Sequence, residues 1–481
     1  MAKAAGITAK KSEQFSEWYT QVVLRSELAD YAPVKGCIVF REYSYAIWEE
    51  IQRYFDKRIK ETGHKNAYFP MFIPERLLKK EAKHFKGFVP ECAWVTIGGE
   101  SKLRERLAVR PTSETIIYTM FKKWIRSWRD LPLKLNQWCN IVRWETKATR
   151  PFLRTREFLW QEGHTAHATV EDADKEVMEI LNIYKDLMEN LLAIPVIVGK
   201  KSELEKFAGA LYTATLETLM PDGKALQMGT SHNLGQNFSK AFKIQFVGED
   251  EKEHYVWTTS WGISTRLIGA IVMVHGDDKG LVLPPEIAPY KVVVIPIFYK
   301  EVEKDVILNK AQEVSERLNQ NGITTIIDDR TEYTPGWKFN EWELKGVPIR
   351  IEIGPKDIKK NQVVAARRDT FERIEVKEEQ LVSTISEMLA AVQKNLFNRA
   401  KRFLEDNITT VKSYREFKEV LRKKGGFLKA SWCLSKECEE KVKEETGATI
   451  SLIPFRKEKP FSNCLYCGNK AKEVVLFARS Y

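Results

Sequence analysis

The 481-residue chain predicts a mixed α and β protein of three consecutive units, and three observations carry that expectation. The first unit holds most of the tryptophans and several long strand-like runs separated by amphipathic helices. After the proline-rich LVLPPEIAPY, short apolar strands and helical stretches alternate. The final stretch is highly charged and contains four of the seven cysteines. The expected boundaries are 1–286, 287–397 and 398–481, and about three domains is what this length implies.

Composition narrows the class. Apolar residues make up 43% and charged residues 30%, the balance of a globular protein in water. No run approaches the roughly 20 apolar residues of a membrane span, and the opening MAKAAGITAKKSEQFSEW lacks the apolar core of a secretion signal. A cytoplasmic protein without a membrane partner is expected. The net charge of +11 suits a polyanionic partner, although the excess is spread along the chain.

Residues 41–63 read as a helix, because Ile47, Ile51, Phe55 and Ile59 form one apolar stripe at spacing four and Gly63 is a suitable stop. NAYFPMFIP follows as a strand interrupted by Pro70 and Pro74, which places it at a sheet edge or an interface. RPTSET (110–115) opens a helix-like run. Its Thr112 and Glu114 fit a plain helix start as well as they fit a pocket for an ammonium group.

The segment RWETKATRPFLRTREFLWQE (143–162) reads as two strands around a basic loop. Arg143 and Glu145 share a face by the two-residue period of a strand, and Arg154, Phe158 and Glu162 recur every four residues. Arginine–glutamate pairs on a hairpin are usually a solvated face worth little; two arginines, an aromatic and two carboxylates also suit a nucleotide triphosphate beside a charged small molecule. TTSWGISTRLIGAIVMVHGDD (258–278) reads as a strand that turns at Gly262 into an apolar helix. Arg266 falls in its first turn, where a cation opposes the helix dipole unless an anion neutralises it; a nearby phosphate satisfies that condition.

In the second unit, VVVIPIF (292–298), 302–320, ITTIID (323–328), 337–345 and PIRIEIG (348–354) alternate strand and helix. They predict an α/β domain with a mixed, mostly parallel sheet that ends after a helix at 377–397. The last unit reads as helix-rich. Cys37, Cys92 and Cys139 are isolated and read as small core residues. Cys433, Cys438, Cys464 and Cys467 pair as C-x4-C and C-x2-C, which favours metal over disulfides. Four thiolates match a closed, structural Zn2+ site.

The 143–162 pattern resembles motif 2 of the class II aminoacyl-tRNA synthetases, the helix and strand ending at Pro70 resemble motif 1, and 258–278 resembles motif 3. RPTSE, RPFLRTREFLWQEGHTAH, KFAGA, GTSH, TTSWGIS, TPGWKFNEWELKGVP and GPKD together resemble the prolyl-tRNA synthetase family of archaeal and eukaryotic type, across essentially the whole chain. About 100 residues separate Glu162 from Arg266, too few for the editing insertion of bacterial-type relatives.

The resemblance implies an α+β catalytic domain built on an antiparallel sheet (the class II synthetase fold), an α/β anticodon-binding domain and a small zinc-containing α+β C-terminal domain. It implies L-proline, ATP with Mg2+, and tRNA(Pro) as ligands, and a homodimer formed through motif 1. Arg143 would bridge the proline carboxylate and the α-phosphate, Glu145 would orient the adenine edge, and Arg154 with Thr155 would meet the γ-phosphate. Phe158 would stack on adenine and Arg266 would cover its other face. Gln227, Thr230 and Ser264 complete the ATP set. Thr112, Glu114, Glu162 and His232 would hold proline between Trp160 and Phe207, and Phe339, Glu343, Arg350 and Lys356 would read the anticodon. Two alternatives share these motifs: an RNA-binding relative without catalysis, against which the intact arginines argue, and a class II enzyme for threonine, glycine or serine.

Overall fold

The computed structural model describes residues 6–84, 91–144, 148–298 and 301–481. Glu145, one of the expected nucleotide contacts, lies outside the described residues.

The organising element is one long sheet. Its central strands run Ile197–Lys200, Tyr212–Leu219, Ala225–Gly235, Trp257–Ser264, Glu157–His167 and Leu133–Val142, and every neighbouring pair among them is antiparallel. The expected antiparallel α+β body is therefore present. Because side chains alternate along a strand, each strand divides cleanly. Leu159, Gln161 and Gly163 face one side, and Phe158, Trp160, Glu162 and His164 face the other.

The first side is packed by helices. The Glu42–Glu61 helix carries the Ile47, Ile51, Phe55 and Ile59 stripe, and the Val170–Asp186 helix adds Val177, Ile180 and Tyr184. The Phe55 ring stacks on Tyr184 at 5.1 Å between centroids and meets Trp261 edge-on at 6.0 Å. Trp261 also fixes the strand register: a Cβ at Gly163 would sit 2.1 Å from its ring carbons, so the indole fits only where the adjacent strand has no side chain.

The strand Leu133–Val142 stops one residue before Arg143, but the ladder continues through Arg143 N–H to the Arg156 carbonyl at 2.8 Å. The strand Trp257–Ser264 likewise runs past Gly262, and the turn into the Arg266–His275 helix is made at Thr265. The proline-interrupted run divides. Lys65–Asn66 pairs at the outer end of the long sheet, and Phe72–Pro74 lies at the edge of a separate three-stranded sheet. Both are edges, as prolines there require.

The second unit has the expected mixed sheet but a different balance. Its sheet pairs Thr325–Ile327, Val292–Pro296 and Ile349–Ile353 in parallel, but Gln362–Arg367 and Arg373–Lys377 add two antiparallel rungs. The sheet is evenly mixed because QVVAARRDTFERIEVK folds as a hairpin, which needs no crossover helix. The helix expected at 377–397 runs instead from Leu381 to Asp406, with Leu396, Ala400 and Leu404 extending its buried stripe.

The last stretch has its expected helices, Tyr414–Lys423 and Lys436–Thr446, and strands as well. Four strands, Ile408–Thr410, Phe427–Trp432, Thr449–Pro454 and Glu473–Ala478, join the end of the long sheet. The junction is the pairing of Ile453 with Lys200 and Pro454 with Gly199, where a Cβ on Gly199 would lie 2.4 Å from the Ile453 carbonyl oxygen.

Replacing Gly163 with alanine tests the register lock. Overpacking of this kind costs about 1–3 kcal/mol, and Trp261 is held by Phe55. The expected outcome is a lower denaturant midpoint with an unchanged slope; a midpoint equal to wild type would contradict the lock.

Candidate active site

The uncovered side of the long sheet forms the floor of a cavity of about 280 Å³. Strand register places three rows across it. Thr213, His232, Ser260 and His164 are cross-strand partners in the first row; Thr215, Thr230, Gly262, Glu162 and Gln137 form the second; Ser264, Trp160 and Cys139 lie in the third. In an antiparallel pair, opposed residues point to the same side, so strands far apart in sequence contribute adjacent side chains.

One end of the cavity is acidic. The Glu162 carboxylate is 2% exposed. It accepts hydrogen bonds from Gln137 Nε2 at 2.7 Å, His164 Nε2 at 2.9 Å and the Ser113 hydroxyl. Burial alone would raise its pKa, but the His164 hydrogen bond and charge, with Ser113 and Gln137, outweigh it and hold the group below the usual carboxylate range. Burial opposes charge on His164 too, and Glu162 with Glu114 reverses that, so its pKa is raised.

Glu114 is the first residue of the Glu114–Trp124 helix and accepts from the Thr112 hydroxyl. A carboxylate at that position is favoured by the helix dipole. Burial nonetheless pushes its pKa up, the nearby Glu162 adds to the rise and His164 reduces it. The end therefore gathers two buried carboxyl groups around one imidazole, and a cationic ligand would relieve the burial cost of charging Glu114.

His232 forms a wall rather than a charge. Its Nδ1 meets Thr213 Oγ1 at 2.8 Å and its Nε2 meets Thr230 Oγ1 at 3.0 Å, and burial brings its pKa down to about 3. The Phe207 ring lies 4.8 Å away. Between the histidines, the Ser260 hydroxyl is buried without a hydrogen-bond partner among the described residues, so a ligand donor or acceptor there would satisfy it.

The other end is cationic. Arg266 donates to the Gln227 carbonyl at 3.3 Å. Burial lowers its pKa, the Arg143 and Arg154 charges lower it further, and Glu217 partly opposes this. Arg143 donates through Nε to the Pro111 carbonyl at 3.1 Å. Its guanidinium carbon lies 5.6 Å from the Phe158 ring and 5.7 Å from the Trp160 ring. With Arg143 and Arg154 both acting on Arg266, this end forms a site for a polyanion.

Of the residues expected from sequence, Thr112, Glu114, Arg143, Phe158, Trp160, Glu162, Phe207, Gln227, Thr230, His232, Ser264 and Arg266 all line this one cavity. Arg154 acts on it through its charge. Thr155 does not line it: the residue is 4% exposed and its hydroxyl donates to the Glu157 carbonyl at 2.6 Å. The sequence reading missed His164, Thr213 and Ser260. Only the two-residue period of their strands could have flagged them.

The expected anticodon residues converge in part. The Arg350 guanidinium carbon lies 4.1 Å from the Phe339 ring centroid, and its NH1 nitrogen bonds Glu343 Oε1 at 3.0 Å. Glu343 and Arg350 line a second cavity of about 240 Å³ with Arg367, Arg368 and Arg373. Lys356 sits exposed on the separate Pro355–Lys359 helix.

The sulfur atoms of Cys433, Cys438, Cys464 and Cys467 all lie within 4.8 Å of one another. Cys433 is 3.8 Å from both Cys438 and Cys467. Tetrahedral Zn–S bonds of about 2.3 Å put the sulfurs about 3.8 Å apart, so the cluster has the ligand set for zinc and close to its spacing. Elemental analysis should find one zinc per chain, lost in Cys464→Ser; a metal-free protein of unchanged stability would refute the assignment.

The Glu162–His164 pair has a definite pH signature. Stability from the raised His164 pKa is present below about pH 6.5 and lost as pH rises through the folded value. Stability from the lowered Glu162 pKa is present above about pH 4.3 and lost as pH falls through the folded value. The melting-temperature difference between wild type and His164→Gln should peak between those limits. A difference independent of pH would contradict the pairing.

Comparison with known proteins agrees with this geometry. Residues 95–275 match the class II tRNA synthetase core domain (G, H, P, S and T), residues 291–388 an anticodon binding domain, and residues 414–481 the C-terminal domain of prolyl-tRNA synthetase. A proline–tRNA ligase of Natranaerobius thermophilus is 55% identical, covering 98% of this chain and 97% of its own length. One from Alkaliphilus oremlandii is 56% identical over 97% and 96%, and one from Cenarchaeum symbiosum is 53% identical over 99% of each. With whole-length identity above half and all three domain matches in order, the chain belongs to the prolyl-tRNA synthetase family of class II tRNA synthetases.

Proposed function

We propose that this chain activates L-proline with ATP and transfers the prolyl group to tRNA(Pro), releasing pyrophosphate and AMP. One observation carries the reading: a single cavity has the buried side chains of Glu114 and Glu162 at one end and Arg143 and Arg266 at the other, with the Arg154 charge acting on Arg266. A ligand that fits both ends has an ammonium on one side and phosphates on the other, which describes an amino acid meeting ATP.

In the first step a proline carboxylate oxygen bonds to the α-phosphorus while the bond to the leaving pyrophosphate breaks. Two anions must approach, and a unit charge pair at 4 Å is worth about 4 kcal/mol at an effective dielectric near 20. Arg143 would offset that repulsion between carboxylate and α-phosphate, and Arg154 and Arg266 would take the outer phosphates. Phe158 and Arg266 would sandwich the adenine. No protein nucleophile is required, because placement and fixed charge carry the step. Magnesium would accompany the triphosphate and add to the positive charge, with Gln227 and Thr230 as oxygen donors beside it.

Proline's secondary ammonium has two N–H donors. Glu114 with Thr112, and Glu162 behind them, supply acceptors, while Trp160, Phe207 and neutral His232 enclose the ring. In the second step a ribose hydroxyl at the tRNA end attacks the prolyl carbonyl and AMP departs. Phe339, Glu343 and Arg350 would meet anticodon bases, which single-stranded readers stack and hydrogen-bond. Lys356 would add a phosphate contact. The proposed domains are 1–286 for catalysis, 287–397 for the anticodon and 398–481 for zinc. A cytoplasmic homodimer through the 65–74 segment is part of this reading; exposed Tyr68 and Phe72 support it.

ATP–pyrophosphate exchange across an amino-acid panel tests the proposal. Exchange should depend on proline, with alanine and cysteine as the weaker competitors a small apolar pocket admits. Arg266→Ala should lower the rate about 10²–10³-fold, the scale of losing one aimed cationic or donor group. No proline-dependent exchange would overturn the reading.

A further inference from the structure

The loop from Lys201 to Leu211 carries Phe207, the aromatic wall against His232, yet only part of its support comes from the catalytic body. Phe207 N–H donates to Thr213 Oγ1 at 2.9 Å. The catalytic body also holds the two ends of the loop, through Lys201 N–H to the Thr213 carbonyl at 2.9 Å, Leu211 N–H to the Asn233 carbonyl at 2.8 Å and Asn237 Nδ2 to the Gly209 carbonyl at 2.8 Å, while the Lys436–Thr446 helix of the C-terminal stretch holds residues 202–205. Ser202 Oγ donates to Glu439 Oε1 at 2.6 Å, and Lys443 Nζ reaches Glu205 Oε1 at 2.9 Å. Glu205 itself lines the cavity.

The two contacts differ in weight. Lys443 has half its side chain exposed, and ion pairs in water contribute little. Ser202 is 6% exposed and Glu439 3%. A buried carboxylate without its donor is a costly state, so that contact has one preferred geometry. It lies five residues before Phe207 in the chain. A third joint, Lys201 Nζ to Glu217 Oε1 at 2.5 Å and to the Ser451 carbonyl at 2.7 Å, fixes the root of the loop.

We infer that Glu439 is a positioning residue for the amino-acid pocket: through Ser202 it sets the loop so that Phe207 closes on His232, and it thereby governs affinity for the amino acid rather than the chemical step. The inference rests on the proposed proline activation. Glu439 touches neither ligand in this arrangement; its effect passes through Ser202 and the loop. The arginine end of the cavity hangs on different elements, the paired strands Leu133–Val142 and Glu157–His167 and the Arg266–His275 helix, so the clamp should act on one substrate and spare the other.

The test is ATP–pyrophosphate exchange on full-length wild type, Ser202→Ala, Glu439→Ala and Glu439→Gln, with KM for proline and ATP measured separately. Ser202→Ala and Glu439→Ala should each raise KM for proline about tenfold with kcat at saturating proline unchanged, the pattern of lost ground-state binding. KM for ATP should stay within about twofold, and the double variant should be no worse than either single one, as for partners in one contact. Glu439→Gln keeps an oxygen that accepts from Ser202 and should restore KM for proline. The Ser202→Ala arm lies away from the cysteine cluster, so a folding defect in that cluster cannot imitate its effect. An unchanged KM for proline in Ser202→Ala, an equal rise in both KM values, or a fall in kcat alone would overturn the clamp. Absence of proline-dependent exchange in wild type would instead strike the activity itself.

Discussion

The site depends on the register of five antiparallel strands more than on any single contact. Because side chains alternate, a slip of one residue in the Glu157–His167 strand would move Phe158, Trp160, Glu162 and His164 to the helix side and expose Leu159 and Gln161. The register is held from behind. Trp261 occupies the space that Gly163 leaves open and packs against Phe55 and Tyr184. The apolar side of the sheet thus fixes which residues appear on its polar side.

Given that register, the electrostatics follow. Glu162 is held ionised by donors from three elements, and Glu114 is left with a burial cost that a cationic ligand would relieve. At the other end the arginines raise one another's energy until an anion arrives. Both ends store unfavourable charge, and the ligand supplies opposite charge to each. Fixed charge that needs no rearrangement is what makes such a site effective. His232 shows the complementary choice, since a neutral ring can close an apolar pocket without competing for the ammonium.

The sequence made some parts of this legible. Arg143, Phe158 and Glu162 lie in one local pattern, Arg266 stands out as a cation at a helix start, and the paired cysteines mark themselves by spacing. His164, Thr213 and Ser260 left no such mark, because their adjacency exists only across strands brought together by pairing. The antiparallel share of the second unit's mixed sheet was underrated because a late hairpin looks like any short strand pair. The joining of the C-terminal strands to the long sheet was invisible for a related reason: edge pairing uses backbone groups, which every sequence provides. Thr155 shows the opposite error, a residue beside a functional arginine whose hydroxyl serves the local backbone.

The central claim is that one cavity holds an amino acid and a nucleotide together, with the cation demand and the anion demand met at once. Calorimetric titration with a non-hydrolysable analogue of the proline adenylate tests it most directly. The account predicts one site per chain, binding at least about 100-fold tighter than either proline or ATP alone, as expected for a ligand that spans both ends. It also predicts an alanine counterpart weaker by about 10–200-fold. An analogue that binds no better than ATP, or equal binding of the alanine form, would contradict it.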